Sequence, residues 1–109
     1  MSKLVTLNED IFENEVENSE LPVLVEFGAS WCGPCNRQLP ILESLAKSYV
    51  DQLKVVKVDI DDCPQLCEKF SVKSVPTLMI FKQGNVVHSG TGLTALQDLK
   101  AFYLSKVGI

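Results

Sequence analysis

The chain has 109 residues, 46% of them hydrophobic and 22% charged, with ten Lys and Arg against fourteen Asp and Glu for a formal net charge of -4. These values predict one compact domain spanning 1–109 with its own core, and they exclude disorder, low complexity and a second domain. No two basic residues are adjacent, so the basic footprint that nucleic acid or an anionic membrane requires is missing, and no apolar stretch approaches the ~18 residues of a membrane-spanning helix.

The N-terminus carries no apolar signal core and turns acidic by Glu9, which favours a cytoplasmic protein. Lys3–Leu7 is a short β-prone run. Asn8 stands where an N-cap begins a helix, with Ile11, Phe12 and Val16 on one face. Pro22–Ala29 is nearly all apolar and rich in β-branched residues, which predicts a central strand buried on both faces. From Pro34 to Val50, Leu39, Ile41, Leu42, Leu45, Ala46 and Tyr49 recur at helical spacing, and Pro40 is expected to kink that helix.

Leu53–Asp59 predicts the next strand, and Cys63-Pro64 the start of a short helix ending near Phe70. Thr77–Phe81 and Asn85–Ser89 flank Lys82-Gln-Gly84, the spacing of an antiparallel hairpin. Thr94-Ala-Leu-Gln97 matches a capping box, followed by an apolar stripe of Leu96, Leu99, Phe102, Tyr103 and Val107. The order βαβαβαββα predicts an α/β sandwich in which crossovers make the first strands parallel and the terminal hairpin adds an antiparallel edge.

The chemistry concentrates at Trp31-Cys32-Gly33-Pro34-Cys35, where the buried strand ends and the long helix begins. At a helix N-terminus unpaired N–H groups and the positive end of the macrodipole stabilise a thiolate, which makes Cys32 the attacking nucleophile. Cys35 lies one turn inside and is expected to remain a thiol until a mixed disulfide forms on Cys32, then to displace the substrate. Two other readings stand beside this one. The two cysteines are ordinary buried residues, or they share zinc with Cys63 and Cys67, although zinc ribbons seldom place a cysteine pair at the start of a long amphipathic helix. Glu26 interrupts an apolar strand on the face shared by Leu24 and Gly28, so burial is expected to raise its pKa.

In Val25-Glu-Phe-Gly-Ala-Ser-Trp-Cys-Gly-Pro-Cys35, Val58-Asp59, Val75-Pro76-Thr77, Phe81-Lys-Gln-Gly84 and Gly92 the chain resembles the thioredoxin family over essentially its whole length. The resemblance implies a thioredoxin fold, a three-layer α/β/α sandwich around a mixed five-stranded sheet, with Pro76 in the cis conformation beside Cys32. It implies a thiol-disulfide oxidoreductase that reduces protein disulfides, is recycled by a separate thioredoxin reductase, and acts as a monomer without cofactor or metal. It implies a substrate rim of Trp31, Gly33, Pro34, Ile60, Val75, Pro76, Thr91 and Gly92. It also implies that Glu26 exchanges protons with Cys35 and pairs loosely with Lys57.

Three positions depart from the family's pattern: Glu26 replaces the usual aspartate, Gly28 a frequent aromatic, and Asn36 the lysine that commonly follows the second cysteine. Loss of that lysine is expected to make both thiols slightly less acidic. A pure binding module on the same fold is the rival reading, and Cys32, Cys35, Glu26 and Pro76 together favour the enzyme. Cys67 is expected to pack as a small apolar residue. Pro64 biases Cys63 away from helical geometry, so its sulfur is expected near free N–H groups that favour the thiolate. The pair is then either structural or the site of a slower second oxidation that loosens the helix beside Ile60 and weakens reductase docking. His88, the only histidine, reads as a surface residue.

Overall fold

The computed structural model describes residues 4–109. Lys3, which the expected first strand includes, lies outside them. Strand β1 (Val5–Leu7) leads through Asn8 into helix α1 (Glu9–Phe12), and the Asn8 side chain accepts the Ile11 N–H at 3.0 Å, as an N-cap does. A wider π turn, Glu13–Glu17, follows. Then come β2 (Val23–Gly28), α2 (Gly33–Ser48), β3 (Lys54–Asp59), α3 (Pro64–Lys69), β4 (Thr77–Lys82), β5 (Asn85–Thr91) and α4 (Leu96–Phe102), with a final 3-10 turn at Leu104–Val107.

The five strands lie in the order β1-β3-β2-β4-β5. β1, β3 and β2 run parallel, while β4 is antiparallel to β2 and β5 antiparallel to β4. β2 is thus the middle strand, and all six of its residues are buried, as its apolar run, interrupted only by Glu26, leads one to expect. Gln83 and Gly84 both take positive φ (52° and 83°) to close the β4–β5 hairpin, the backbone twist that a two-residue hairpin turn demands.

Side chains alternate across the sheet and build two cores. Leu24, Leu78 and Ile80 meet Leu42 and Leu45 of α2 and Leu99 of α4 on one face. Val23, Val25, Phe27, Met79 and Phe81 meet Phe12, Val16 and Leu66 on the other, which makes the three-layer α/β/α sandwich. Phe70 sits among Phe12, Phe27 and Phe81 at centroid separations of 5.4 to 6.2 Å, within the range of favourable aromatic contacts.

Four local expectations need correction. Ile11 is exposed, and only Phe12 and Val16 face the core. Helix α2 runs from Gly33 to Ser48 rather than from Pro34 to Val50, with Pro40 inside it. The capping box at Thr94 does not form: α4 is preceded by Ala95 with no side-chain cap. The buried Gln38 amide on α2 takes both backbone groups of Thr94 instead, accepting its N–H at 2.7 Å and donating to its carbonyl at 2.9 Å. Phe102 faces solvent and Leu104 is buried in its place, because the helix ends at Tyr103 and tightens into the 3-10 turn.

Candidate active site

At the end of β2 the chain turns through Ser30 and Trp31, and Cys32 becomes the N-cap of α2 with an extended backbone (φ -94°, ψ 111°). Its Sγ accepts the Cys35 N–H at 3.1 Å, and its carbonyl accepts the Asn36 N–H at 3.1 Å. Pro34 in the first turn lacks an N–H that would otherwise need a partner. Cys32 and Cys35, three residues apart with Cα atoms 5.2 Å apart, form a disulfide. Both are nearly covered, and Ala29, Ile60 and Val75 pack around them.

Cys32 and Cys35 therefore stand on the first turn of a helix, with a backbone donor aimed at the outer sulfur. That arrangement stabilises negative charge on Cys32 once the disulfide is opened.

The residues expected to form a rim gather around this cystine. Trp31, next to Cys32 in the chain, is 67% exposed, and its indole N–H donates to Asp61 at 2.8 Å, which fixes the ring. Gly33 and Pro34 open α2. Ile60 and Val75 are half-buried against the cystine. The Val75–Pro76 peptide is cis, Pro76 is buried, and its carbonyl accepts the Gly92 N–H at 2.9 Å, which brings Thr91 and Gly92 to the same edge.

Glu26 lies beneath. Thr6, Lys57 and Glu26 stand side by side on β1, β3 and β2, with Gly28 and Asp59 paired two residues further along. Glu26 is 2% exposed, and its Oε2 has no hydrogen-bond partner among the described residues. Burial lifts its pKa from 4.5 to about 7, with Lys57 pulling the other way. Lys57 acts at a distance, since the salt bridges among the described residues join Lys54 to Glu15 and Lys69 to Glu17.

A cavity of about 150 Å³ connects these groups, lined by Thr6, Glu26, Gly28, Ala29, Ser30, Cys35, Asn36, Leu39, Lys57, Val58 and Asp59. A Cβ placed on Gly28 would lie 3.3 Å from Glu26 Oε1 and 3.3 Å from Cys35 Sγ. The carboxyl oxygen and the sulfur are therefore at most twice that distance apart, within reach of one bridging water. Asn36 lines this space without bringing a charge to it, and its Nδ2 donates to the Ser30 carbonyl at 3.1 Å.

Cys63 and Cys67 belong elsewhere. Cys63 is the N-cap of α3 but makes no capping bond, and it is fully buried in the core shared with α1. The Gln65 and Leu66 N–H groups expected to favour its thiolate are taken by the Glu9 carboxylate, at 2.6 and 3.1 Å. Burial, and then Glu9, push both thiols up rather than down. The Cys63 sulfur faces the Leu7 carbonyl at 3.8 Å and the Cys67 sulfur the Ile60 carbonyl at 4.0 Å. Cys63 shares no packing cluster with the active-site pair. His88 is half-buried edge-on against Tyr103, away from the site.

Glu9, Gln38 and Asp61 escaped the sequence reading. Each acts on a partner far along the chain, 30 to 57 residues away, and no local pattern marks such a bond.

The thioredoxin family model matches residues 3–105. Thioredoxin 1 of Synechococcus elongatus is 44% identical over 92 residues, covering 84% of this chain and 86% of its own. Thioredoxin of Acidithiobacillus ferridurans is 38% identical over 104 residues, with 95% and 96% covered, and thioredoxin of Haemophilus influenzae is 38% identical over 102 residues, with 94% and 95% covered. With its cystine at the start of α2, its cis-proline edge and these similarities along almost all of its length, the chain belongs to the thioredoxin family and is a thiol-disulfide oxidoreductase.

Proposed function

We propose that the 109-residue chain works as one domain that reduces disulfides in proteins, with Cys32 as nucleophile, Cys35 as resolving thiol and Glu26 as the base that serves Cys35. The observation that carries this reading is the pairing of a capped, rim-facing sulfur with an inner sulfur backed by a buried carboxyl group.

A substrate strand lies on the rim of Trp31, Gly33, Pro34, Ile60, Val75, Pro76, Thr91 and Gly92. The Cys32 thiolate, held by the Cys35 N–H, attacks one substrate sulfur, forming a Cys32–substrate bond and expelling the other substrate sulfur as a thiolate, which takes a proton from solvent. Glu26 then accepts the Cys35 proton, and the Cys35 thiolate attacks Cys32 Sγ. The Cys32–Cys35 bond forms, the second substrate thiolate leaves and is protonated, and Glu26 returns its proton to water. Two electrons and two protons pass from the dithiol to the substrate. A pKa of about 7 suits Glu26 to this exchange, because the group gains and loses a proton with equal ease at neutral pH. Lys57 favours the ionised form and keeps the shift within that range.

The oxidised enzyme is recycled by a separate thioredoxin reductase. The chain acts as a monomer in the cytoplasm, where a reducing thiol pool leaves Cys63 and Cys67 unpaired. For Cys63 and Cys67 the structural role is favoured over a second oxidation, since both thiols are raised and Cys63 is buried.

Insulin reduction with dithiothreitol as electron donor, followed by turbidity, tests the reading. The parent chain is expected to accelerate precipitation, and Cys32→Ser and Cys35→Ser each to abolish turnover. Catalysis surviving in either variant would leave the fold as a binding module with an incidental cystine.

A further inference from the structure

Gly28 is buried on the middle strand, with ordinary φ, so nothing in its backbone conformation calls for glycine. Its surroundings do. A Cβ there would meet Cys35 Cβ, Cys35 Sγ and Glu26 Oε1, all at 3.3 Å, closer than side chains normally tolerate. The space left by the missing side chain belongs to the cavity of about 150 Å³ into which the unpartnered Glu26 carboxyl faces. A polar cavity of this size holds several waters, provided that buried polar groups are present to bind them.

The same cavity reaches Cys35, yet none of Trp31, Cys32, Val75, Pro76, Thr91 or Gly92 lines it. It opens instead between the start of α2, through Asn36 and Leu39, and the β1–β3 side of the sheet, through Thr6 and Lys57. We infer that the missing side chain of Gly28 keeps open a solvent entry to Glu26 and Cys35 on the flank of the domain, separate from the substrate rim, so that proton exchange continues while a protein substrate covers Cys32.

The inference rests on Glu26 being the base for Cys35. Gly28 is then a positioning residue. It leaves the carboxyl within a bridging water of the sulfur, and it lets Glu26-H discharge its proton to water without waiting for product to leave the rim. The charged and titratable groups that line the cavity with Glu26 are Lys57 and Asp59 from β3 and Cys35 from α2, and β1 contributes Thr6; of the charges, Lys57 acts on the carboxyl. Filling the cavity removes water from the carboxyl while these neighbours stay in place, so the protonated form gains.

The test is single-turnover release of a mixed disulfide on Cys32, measured from pH 5 to 9 for the parent chain, Glu26→Gln, Gly28→Ala, Gly28→Ala with Glu26→Asp, and Leu39→Phe, which narrows the cavity from α2 and leaves Gly28 unchanged. In Gly28→Ala and Leu39→Phe the release midpoint is expected to move up by about one pH unit. The ionised fraction at pH 7 then falls from about one half to about one eleventh, a roughly fivefold slower release. Shortening the carboxyl in the Gly28→Ala background withdraws it from the added Cβ and is expected to bring the midpoint back down. In the parent, the midpoint is expected to be the same for a dipeptide-sized and a protein-sized leaving group.

Slow release in Glu26→Gln with unmoved midpoints in both cavity variants would overturn the inference and leave the base intact. A midpoint that shifts when a protein covers the rim would overturn it too, by placing the entry at the rim. Unchanged release in Glu26→Gln would overturn the assignment of the base itself, and the inference with it.

Discussion

Replacing Glu26 by glutamine removes a titration while keeping the shape of the side chain, so its effect is read in the pH dependence of stability. The carboxyl has an ordinary value of 4.5 and a folded value of about 7, raised first by burial and moderated by Lys57. The folded protein therefore binds a proton that the unfolded chain has released between these two values, and stability falls as pH rises through that window. Below pH 4.5 both states are protonated and the group costs nothing. Above pH 7 both are ionised and the full penalty applies.

At 1.36 kcal/mol per pH unit, the rise from 4.5 to about 7 sets an upper value of about 3 kcal/mol. Water in the adjoining cavity reduces it, so about 1–3 kcal/mol is expected. Denaturant melts of the oxidised parent and of Glu26→Gln at pH 4, 5, 6, 7 and 8 measure it. The parent is expected to lose about 1–3 kcal/mol relative to the variant between pH 4 and pH 8, most of it between pH 4.5 and 7. The buried amide adds a constant offset that cancels in this difference. Parallel curves, or a parent that gains on the variant as pH rises, would refute the reasoning, because the carboxyl would then be solvated or paired in the folded state.

Glu9→Ala strips the acceptor from two N–H groups at the start of α3 and is expected to cost about 1–3 kcal/mol, the scale of hydrogen bonds to a charged group; Glu13→Ala, at an exposed position of the neighbouring turn, is the control and is expected to be near neutral by chemical denaturation. Gln38→Ala leaves both backbone groups of Thr94 without their partner and is expected to lower stability by about 2–4 kcal/mol. It also loosens the segment after Gly92, so the KM for a protein substrate rises more than kcat falls. In the fully reduced chain, iodoacetamide at pH 7 is expected to label Cys32 well before Cys63 or Cys67, as read by peptide mass mapping, because burial holds the latter two as thiols; labelling of Cys63 at a comparable rate would contradict that account.

The features legible in the sequence are those that short-range periodicity encodes. The nearly all-apolar run of β2, the amphipathic spacing of α2 and the Gln83-Gly84 turn each follow from neighbours within a few residues, and together they fix the element order and the place of the cystine. Glu26 stood out because a carboxylate in an apolar strand must be neutralised, paired or desolvated. Misreadings arose where a distant side chain competed for a local group. Thr94 carries the residues of a capping box, yet Gln38 on another helix holds its backbone. Cys63 carries the position of an N-cap, yet Glu9 supplies the acceptor. Phe102 fits a continuous helical stripe, yet the chain tightens after Tyr103 and turns it outward. Gly28 reads in sequence only as a departure from a family pattern; its meaning comes from the three atoms crowded around its missing Cβ.

The division of labour between the two sulfurs is tested most directly by trapping. Cys35→Ser, reduced and mixed with a disulfide-containing protein, is expected to accumulate a covalent complex that dithiothreitol dissolves and that mass spectrometry maps to Cys32, while Cys32→Ser accumulates none. Equal trapping by the two variants, or a complex mapped to Cys63 or Cys67, would contradict the assignment of Cys32 as nucleophile and Cys35 as resolving thiol.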